Sequence, residues 1–282
     1  MKQTRKKWLV FLIIGLCLAG IFFIAFYRLF PQAASEPPVL FARGVVVASA
    51  QTGQVLYTHN AHLPVYPAST TKLVAVLLIL DEITEGRLTL CEMVPVSYRA
   101  ANVRASRAGF EEGDMVSVHH LIMAAMLPSG SEATMALGEH VFGSEEDFVS
   151  AMNRRVVQLD LADTFFANSV GLDDPLHKTT AYDMARLASY IVTRHPLIFE
   201  YSSMANYMLD MGQREINMRN TNDMLNISGV TGLKTGSSPL AGASLVFTYN
   251  SRRHGDLVFA VMSSPNLAMR RHDSEVLLEM FR

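Results

Sequence analysis

The rhythm of apolar and polar residues changes several times along this chain. From Trp8 to Tyr27 the run is apolar and uncharged, long enough at helical rise to cross a bilayer core of roughly 30 Å. Lys2, Arg5, Lys6 and Lys7 precede it and only Arg28 follows closely, a bias that keeps the N-terminus in the cytoplasm and exports the rest. The run exceeds the apolar core of about 7 to 15 residues typical of a cleaved signal, and Gln32-Ala33-Ala34 is a poor cleavage site. The expectation is a cytoplasmic tail at 1–7, an uncleaved transmembrane signal anchor at 8–28, a proline-bearing linker at 29–40 and one exported domain at 41–282.

Within that domain, short apolar runs at 45–50 and 54–58 flank Gln51-Thr52-Gly53 and predict a β-hairpin. Residues 73–83 are too long and too uniformly apolar for a strand and predict a buried helix. Apolar residues recurring at three and four predict further helices at 118–126, 132–141, 145–159 and 181–193. The pattern then turns β-rich at 244–249 and 257–263, joined by a polar turn, and closes with an amphipathic helix at 271–281. Strands from both chain ends around a helical middle make an α+β domain, an antiparallel sheet packed against a helical lobe.

Composition narrows the chemistry. Of 24 Lys and Arg residues, five flank the apolar run, so the remainder carries 19 against 26 acidic residues. A surface of that sign excludes nucleic acid as a partner. Cys17 lies in the apolar run and Cys91 stands alone in the exported part, so no disulfide forms there and stability rests on a packed core. Sixteen methionines, several at helical spacing between Met115 and Met135, read as core filler. His119-His120 cannot share a metal face on a helix, and no metal or organic cofactor is expected. Arg252-Arg253 and Arg270-Arg271 read as solvated charges at a turn and a helix end.

Three separated runs carry candidate chemistry: Ser69-Thr70-Thr71-Lys72, Ser129-Gly130-Ser131 and Lys234-Thr235-Gly236. Residues three apart on a helix share a face, so the Lys72 amine can reach the Ser69 hydroxyl. A serine alcohol must lose its proton as it attacks, and an amine accepts that proton only when burial or a neighbouring cation such as Lys234 lowers its pKa. At a helix start, the Ser69 amide also lies where developing negative charge is favoured. Alone, each run is ordinary: Ser-x-x-Lys begins many helices as a cap, and Lys-Thr-Gly is a strand with a glycine at a close approach. Their order and setting, a long apolar helix, a turn between helices and a β segment, favour joint catalysis.

Together with Thr52-Gly53-Gln54-Val55-Leu56-Tyr57, Gly171-Leu172-Asp173-Asp174-Pro175, Thr180-Ala181-Tyr182-Asp183 and Gly229-Val230-Thr231-Gly232-Leu233 before Lys234, these runs resemble the serine D-alanyl-D-alanine carboxypeptidases, the low-molecular-mass penicillin-binding proteins. The likeness extends from about Val45 to the C-terminus. It implies the fold of the serine β-lactamases and penicillin-binding transpeptidases, and a membrane-anchored peptidase acting on peptidoglycan stem peptides ending in D-Ala-D-Ala, with β-lactam antibiotics as covalent inhibitors. It further implies Ser69 as nucleophile, Lys72 as proton acceptor and Ser129 as proton relay to the leaving amine. Lys234 and Thr235 would hold the terminal carboxylate, Gly236 would leave room for substrate, and the amides of Ser69 and Ser237 would form the oxyanion hole.

Two departures from that family stand out. Ser131 occupies a place where asparagine is usual, which implies weaker recognition of a substrate carbonyl, through water, and slower turnover. The C-terminal β domain and amphipathic anchor of many relatives have no counterpart before Arg282, so the N-terminal helix is expected to do the tethering. Asp173 and Asp174 read as turn residues. Competing readings are a transpeptidase using an amine in place of water, and a non-catalytic wall-peptide binder. A β-lactamase is disfavoured because no glutamate lies between Phe165 and Lys178 to serve deacylation.

Overall fold

The computed structural model describes residues 38–282, and Gly20 ahead of them; the expected tail, anchor and most of the linker lie outside the described residues. Among the described residues no helix is long and apolar enough to cross a membrane. Contacts gather Leu40–Arg282 into one unit.

In chain order the strands are β1 (Gly44–Ser49), β2 (Val55–His59), β3 (Met93–Pro95), β4 (Met115–Ser117), β5 (Asn206–Asp210), β6 (Glu215–Arg219), β7 (Val230–Ser238), β8 (Gly242–Ser251) and β9 (Gly255–Ser264). The helices are α1 (Lys72–Thr84), α2 (Tyr98–Ala101), α3 (Val118–Met126), α4 (Ser131–Phe142), α5 (Glu145–Gln158), α6 (Ala181–Arg194), α7 (Ile198–Ser202) and α8 (Leu267–Phe281). The main sheet is antiparallel in the order β2-β1-β9-β8-β7, so the first hairpin joins the last three strands. This is the sheet from both chain ends that the apolar pattern predicted.

Side chains alternate across a strand, and here both faces are covered. Val45, Val47, Phe247 and Phe259 pack with Leu277, Leu278 and Phe281 of α8. Val46, Ala48, Val246, Val258 and Ala260 belong to the larger core with the helical lobe. Double coverage explains why these strands are continuously apolar rather than half polar. In the lobe, α1 is buried at every position from Lys72 to Leu80, the property of a helix surrounded by core. Truncating Leu77, fully buried there, would cost about 2–5 kcal/mol.

Helix starts follow local chemistry. The side chains of Ser117, Ser144, Thr180 and Asn266 accept from the amides of His120, Asp147, Asp183 and Met269, capping α3, α5, α6 and α8. The last cap corrects the expected helix start: α8 begins at Leu267, not at residue 271, and Arg270 falls inside its first turns. The β5–β6 hairpin was not anticipated either. Its strands alternate exposed and buried residues, with only Leu209, Ile216 and Met218 turned fully inward, too sparse a signal beside the polar residues between them.

Candidate active site

The turn carrying Ser69 is held from both sides. Pro67 leads into a 3-10 turn, Ala68–Thr71, which passes directly into α1. The Thr70 and Thr71 hydroxyls donate to the carbonyls of Pro67 and Ala68, each at 2.7 Å. His177 accepts from the Ala167 amide at Nδ1, leaving Nε2 to donate to Thr71 Oγ1 at 2.7 Å. Burial drives the His177 pKa down to about 4, so the ring stays neutral. Ala68 sits at φ 46, a strained value for a residue with a Cβ. A Cβ on Gly171, itself at φ +92, would lie 2.0 Å from the Ala68 carbonyl oxygen, so only glycine fits where the 168–174 loop crosses the turn.

Lys72 is fully buried at the first residue of α1. Its Nζ lies 3.1 Å from Ser69 Oγ, 2.9 Å from the Val170 carbonyl oxygen and 3.5 Å from Ser129 Oγ. Burial lowers its pKa to about 7, against an upward push from the Glu132 carboxylate. The sequence allowed burial or a neighbouring cation as the cause; burial is the one that lowers it. A neutral amine has two N–H groups and one lone pair. Donation to Val170 O and Ser129 Oγ directs that lone pair at Ser69 Oγ, the geometry general-base removal of its proton needs.

Ser129 is buried at φ 65 in the turn before α4. The Ser131 amide donates to Ser106 O at 2.8 Å, while the Ser106 hydroxyl donates to Ser129 O at 2.7 Å. Ser131 itself is fully enclosed, and its Oγ has no hydrogen-bond partner among the described residues. It does not line the cleft. The expected substrate-contacting role of Ser131 therefore finds no geometric support, because the short side chain stops inside the protein wall.

The opposite wall is β7, at the sheet edge. Lys234 is buried, donates to Thr235 O at 3.1 Å, and has a pKa well below the usual lysine range through burial, the charge of Lys72 and that of Arg270. Thr235 Oγ1 shares a 2.6 Å hydrogen bond with Thr221 Oγ1. A Cβ on Gly236 would fall 2.7 Å from Pro67 O and 3.2 Å from the Ser69 amide nitrogen. The strand thus presses on the Ser69 turn, and Ser237, the next residue, is exposed. Ser69, Ser129, Thr235, Gly236 and Ser237 all face one cleft of about 790 Å³, with Lys72 and Lys234 buried behind its walls.

Residues given no catalytic part in the sequence also take defined places. Arg270 is 3% exposed, pairs with Asp223 at 2.6 Å and reaches the cleft from α8. Reading it as a solvated charge is corrected; the Asn266 cap places it on a buried face. Arg252 and Arg253 are exposed. Asp174 is a turn residue, accepting from the Leu176 amide at 2.8 Å. Asp173 does more: it accepts from Ser238 Oγ and from the Leu240 amide, joining the 168–174 loop to the end of β7. His119 and His120 face Tyr201 and Tyr207, at 3.1 and 3.3 Å.

A hydroxyl beside a depressed-pKa amine, a second hydroxyl, and cations behind a strand edge suit acyl transfer to serine from a substrate bearing an anion. The family profile described as D-alanyl-D-alanine carboxypeptidase matches residues 31–266. The chain belongs to the D-alanyl-D-alanine carboxypeptidase family. Among relatives in that family, the D-alanyl-D-alanine carboxypeptidase DacF of Bacillus subtilis (strain 168) is 31% identical over 232 residues, covering 82% of this chain and 59% of that protein. The chain spans less than two thirds of several such relatives, 63% of DacA of Haemophilus influenzae among them. Penicillin binding protein 5 from Haemophilus influenzae superposes with a TM-score of 0.82 at 29% identity, over 88% of this chain and 72% of that one. Penicillin-binding protein D2 from Listeria monocytogenes, in its ampicillin-bound form, gives 0.77 at 27% identity over 87% and 99%. The fold is the penicillin-binding type that the resemblance implied.

Proposed function

We propose that this chain is a serine D-Ala-D-Ala carboxypeptidase that removes the terminal D-alanine from peptidoglycan stem pentapeptides through an ester on Ser69. The observation carrying this reading is the 3.1 Å approach of a fully buried Lys72 amine to Ser69 Oγ, with a pKa of about 7. Ser69 Oγ attacks the carbonyl between the two D-alanines while Lys72 takes its proton. The tetrahedral oxyanion is held by the amides of Ser69 and Ser237, each worth on the order of 3 kcal/mol in comparable sites. The proton passes through Ser129 to the leaving amine, the C–N bond breaks, and D-alanine departs. Water then attacks the ester and regenerates Ser69.

The substrate carboxylate meets Thr235, Lys234 and Arg270. Burial and mutual repulsion disfavour charge on Lys234 in the empty cleft; an arriving anion reverses that balance. β-Lactam antibiotics present a carboxylate and an acylating carbonyl in one molecule, and on this reading form a covalent adduct with Ser69. The exported, membrane-tethered location belongs to the same proposal and rests on the apolar run from Trp8 to Tyr27 and its basic flank.

The test is a fluorescent penicillin and a synthetic pentapeptide offered to the full chain in detergent. Wild type should become covalently labelled and release free D-alanine, and Ser69→Ala should do neither. Labelling without D-alanine release, in the presence of water alone, would leave a penicillin-binding but non-hydrolytic protein. Protease added to intact spheroplasts should digest residues 41–282 from outside; protection would overturn the exported location.

A further inference from the structure

Glu132 is a carboxylate with no exposure at all, in the first turn of α4. Its Oε1 accepts from three consecutive amides, Ala108 at 2.7 Å, Gly109 at 2.8 Å and Phe110 at 3.3 Å, while its Oε2 has no partner among the described residues. The nearest cation to it, Arg107 Nε, stands 4.0 Å from Oε1 and is 40% exposed. A buried carboxylate with one oxygen unpaired is costly and calls for a compensating field. The three amides offset part of that cost, and the field of the carboxylate reaches Lys72 at the start of α1.

The same side chain governs the cleft wall. Ala105 and Ser106 line the cleft, and Ser106 is stitched to Ser129 and Ser131 by the two hydrogen bonds described above. Glu132 holds the next stretch, residues 108–110, so the relay serine and the loop beside it are fixed by one clamp. We propose that Glu132 is a positioning residue of the acyl-transfer reaction: its carboxylate pins residues 108–110, next to the Ser106 wall that holds Ser129, and places a buried negative charge in the field of Lys72. Burial alone would drive the Lys72 amine lower; the Glu132 charge opposes that shift. Other titratable groups near these elements include Arg107, the neutral His177 ring behind Thr71, Lys234 beside Lys72, Glu139 and His140 on α4, and Asp173 at the cleft.

The inference rests on Ser69 being acylated, so the measurement is the rate of penicillin acylation against pH for the full chain and two variants. Glu132→Gln removes the charge and keeps an acceptor. Its acidic limb should move to lower pH by about one unit, and its plateau should fall several-fold as the amine weakens. Glu132→Asp keeps the charge and loses reach; its limb should stay with wild type while its plateau falls. A Glu132→Gln limb coincident with wild type overturns the proposal. So does a Glu132→Asp limb displaced toward lower pH, which decides the matter even where Glu132→Gln fails to fold. Wild type that is never labelled defeats the Ser69 reading instead, a distinguishable result.

Discussion

Two lysines lie on opposite walls of the cleft, both wholly buried, and their surroundings assign them different work. Lys72, on the helical lobe, has three oxygens within 3.5 Å and the Glu132 carboxylate nearby, and its pKa settles near neutrality. Lys234, on the sheet, has the Thr235 carbonyl at 3.1 Å and the basic groups of Lys72 and Arg270 for neighbours, and its pKa lies well below the usual lysine range. Burial removes the preference for charge from both; the neighbours then decide which amine is a base at rest and which waits for an anion. One lysine is completed by the protein, the other by what binds.

The largest effect that can break this contrast comes from Lys72→Met. Acylation by penicillin should fall by about 10²- to 10⁴-fold, measured by stopped labelling on a gel. The same variant should be more heat-stable than wild type at pH 7. Between a folded pKa of about 7 and the ordinary 10.5, the unfolded chain binds a proton that the folded one does not, so wild-type stability rises with pH through that window. Methionine removes this burden, and a rise in Tm of at least about 4 °C is expected in calorimetry near neutrality.

Next comes Lys234→Gln, which should leave a foldable protein but raise KM for pentapeptide by about 10²-fold, with a smaller change in kcat; an unchanged KM would show that the sheet lysine does not meet the substrate anion. Arg270→Gln leaves Asp223 with only the 4.0 Å contact to Arg271 and should raise KM roughly tenfold while lowering Tm, read by the same assays. For wild type, the acylation rate should climb with pH through about 7, because the neutral amine is the active form; a profile flat from pH 5 to 9 would remove Lys72 from the role of base. The smallest change is Ser131→Ala. Its orphaned hydroxyl makes no hydrogen bond, so turnover should stay within about twofold and Tm should not fall. A marked loss of turnover would restore Ser131 as a substrate contact.

Elements with a polar cap and a dense apolar face could be read directly from the sequence. The helices at 118–126 and 145–159 declare themselves through Ser117 and Ser144, and the sheet through runs apolar at every position. Ser69, Lys72, Ser129 and the Lys234 run were recognisable because motif order survives without coordinates. What was hidden depends on which face a residue turns. Arg270 was misread since the helix containing it begins four residues earlier than its apolar pattern suggests, and the Asn266 cap was the overlooked signal. Glu132 resembles any acidic residue in a first helical turn until the 108–110 amides fold onto it. The Val170 carbonyl has no side-chain signature at all, yet it accepts one of the Lys72 hydrogens.

Gly171 and Gly236 press on the nucleophile turn from two sides, and a methyl group at either position would collide with backbone atoms of Pro67 or Ala68. Neither backbone can retreat without shifting the reacting hydroxyl. On the proposed reading, changes that reshape the cleft without moving that hydroxyl fall on its exposed rim, where Leu172, Pro239 and Leu267 border it.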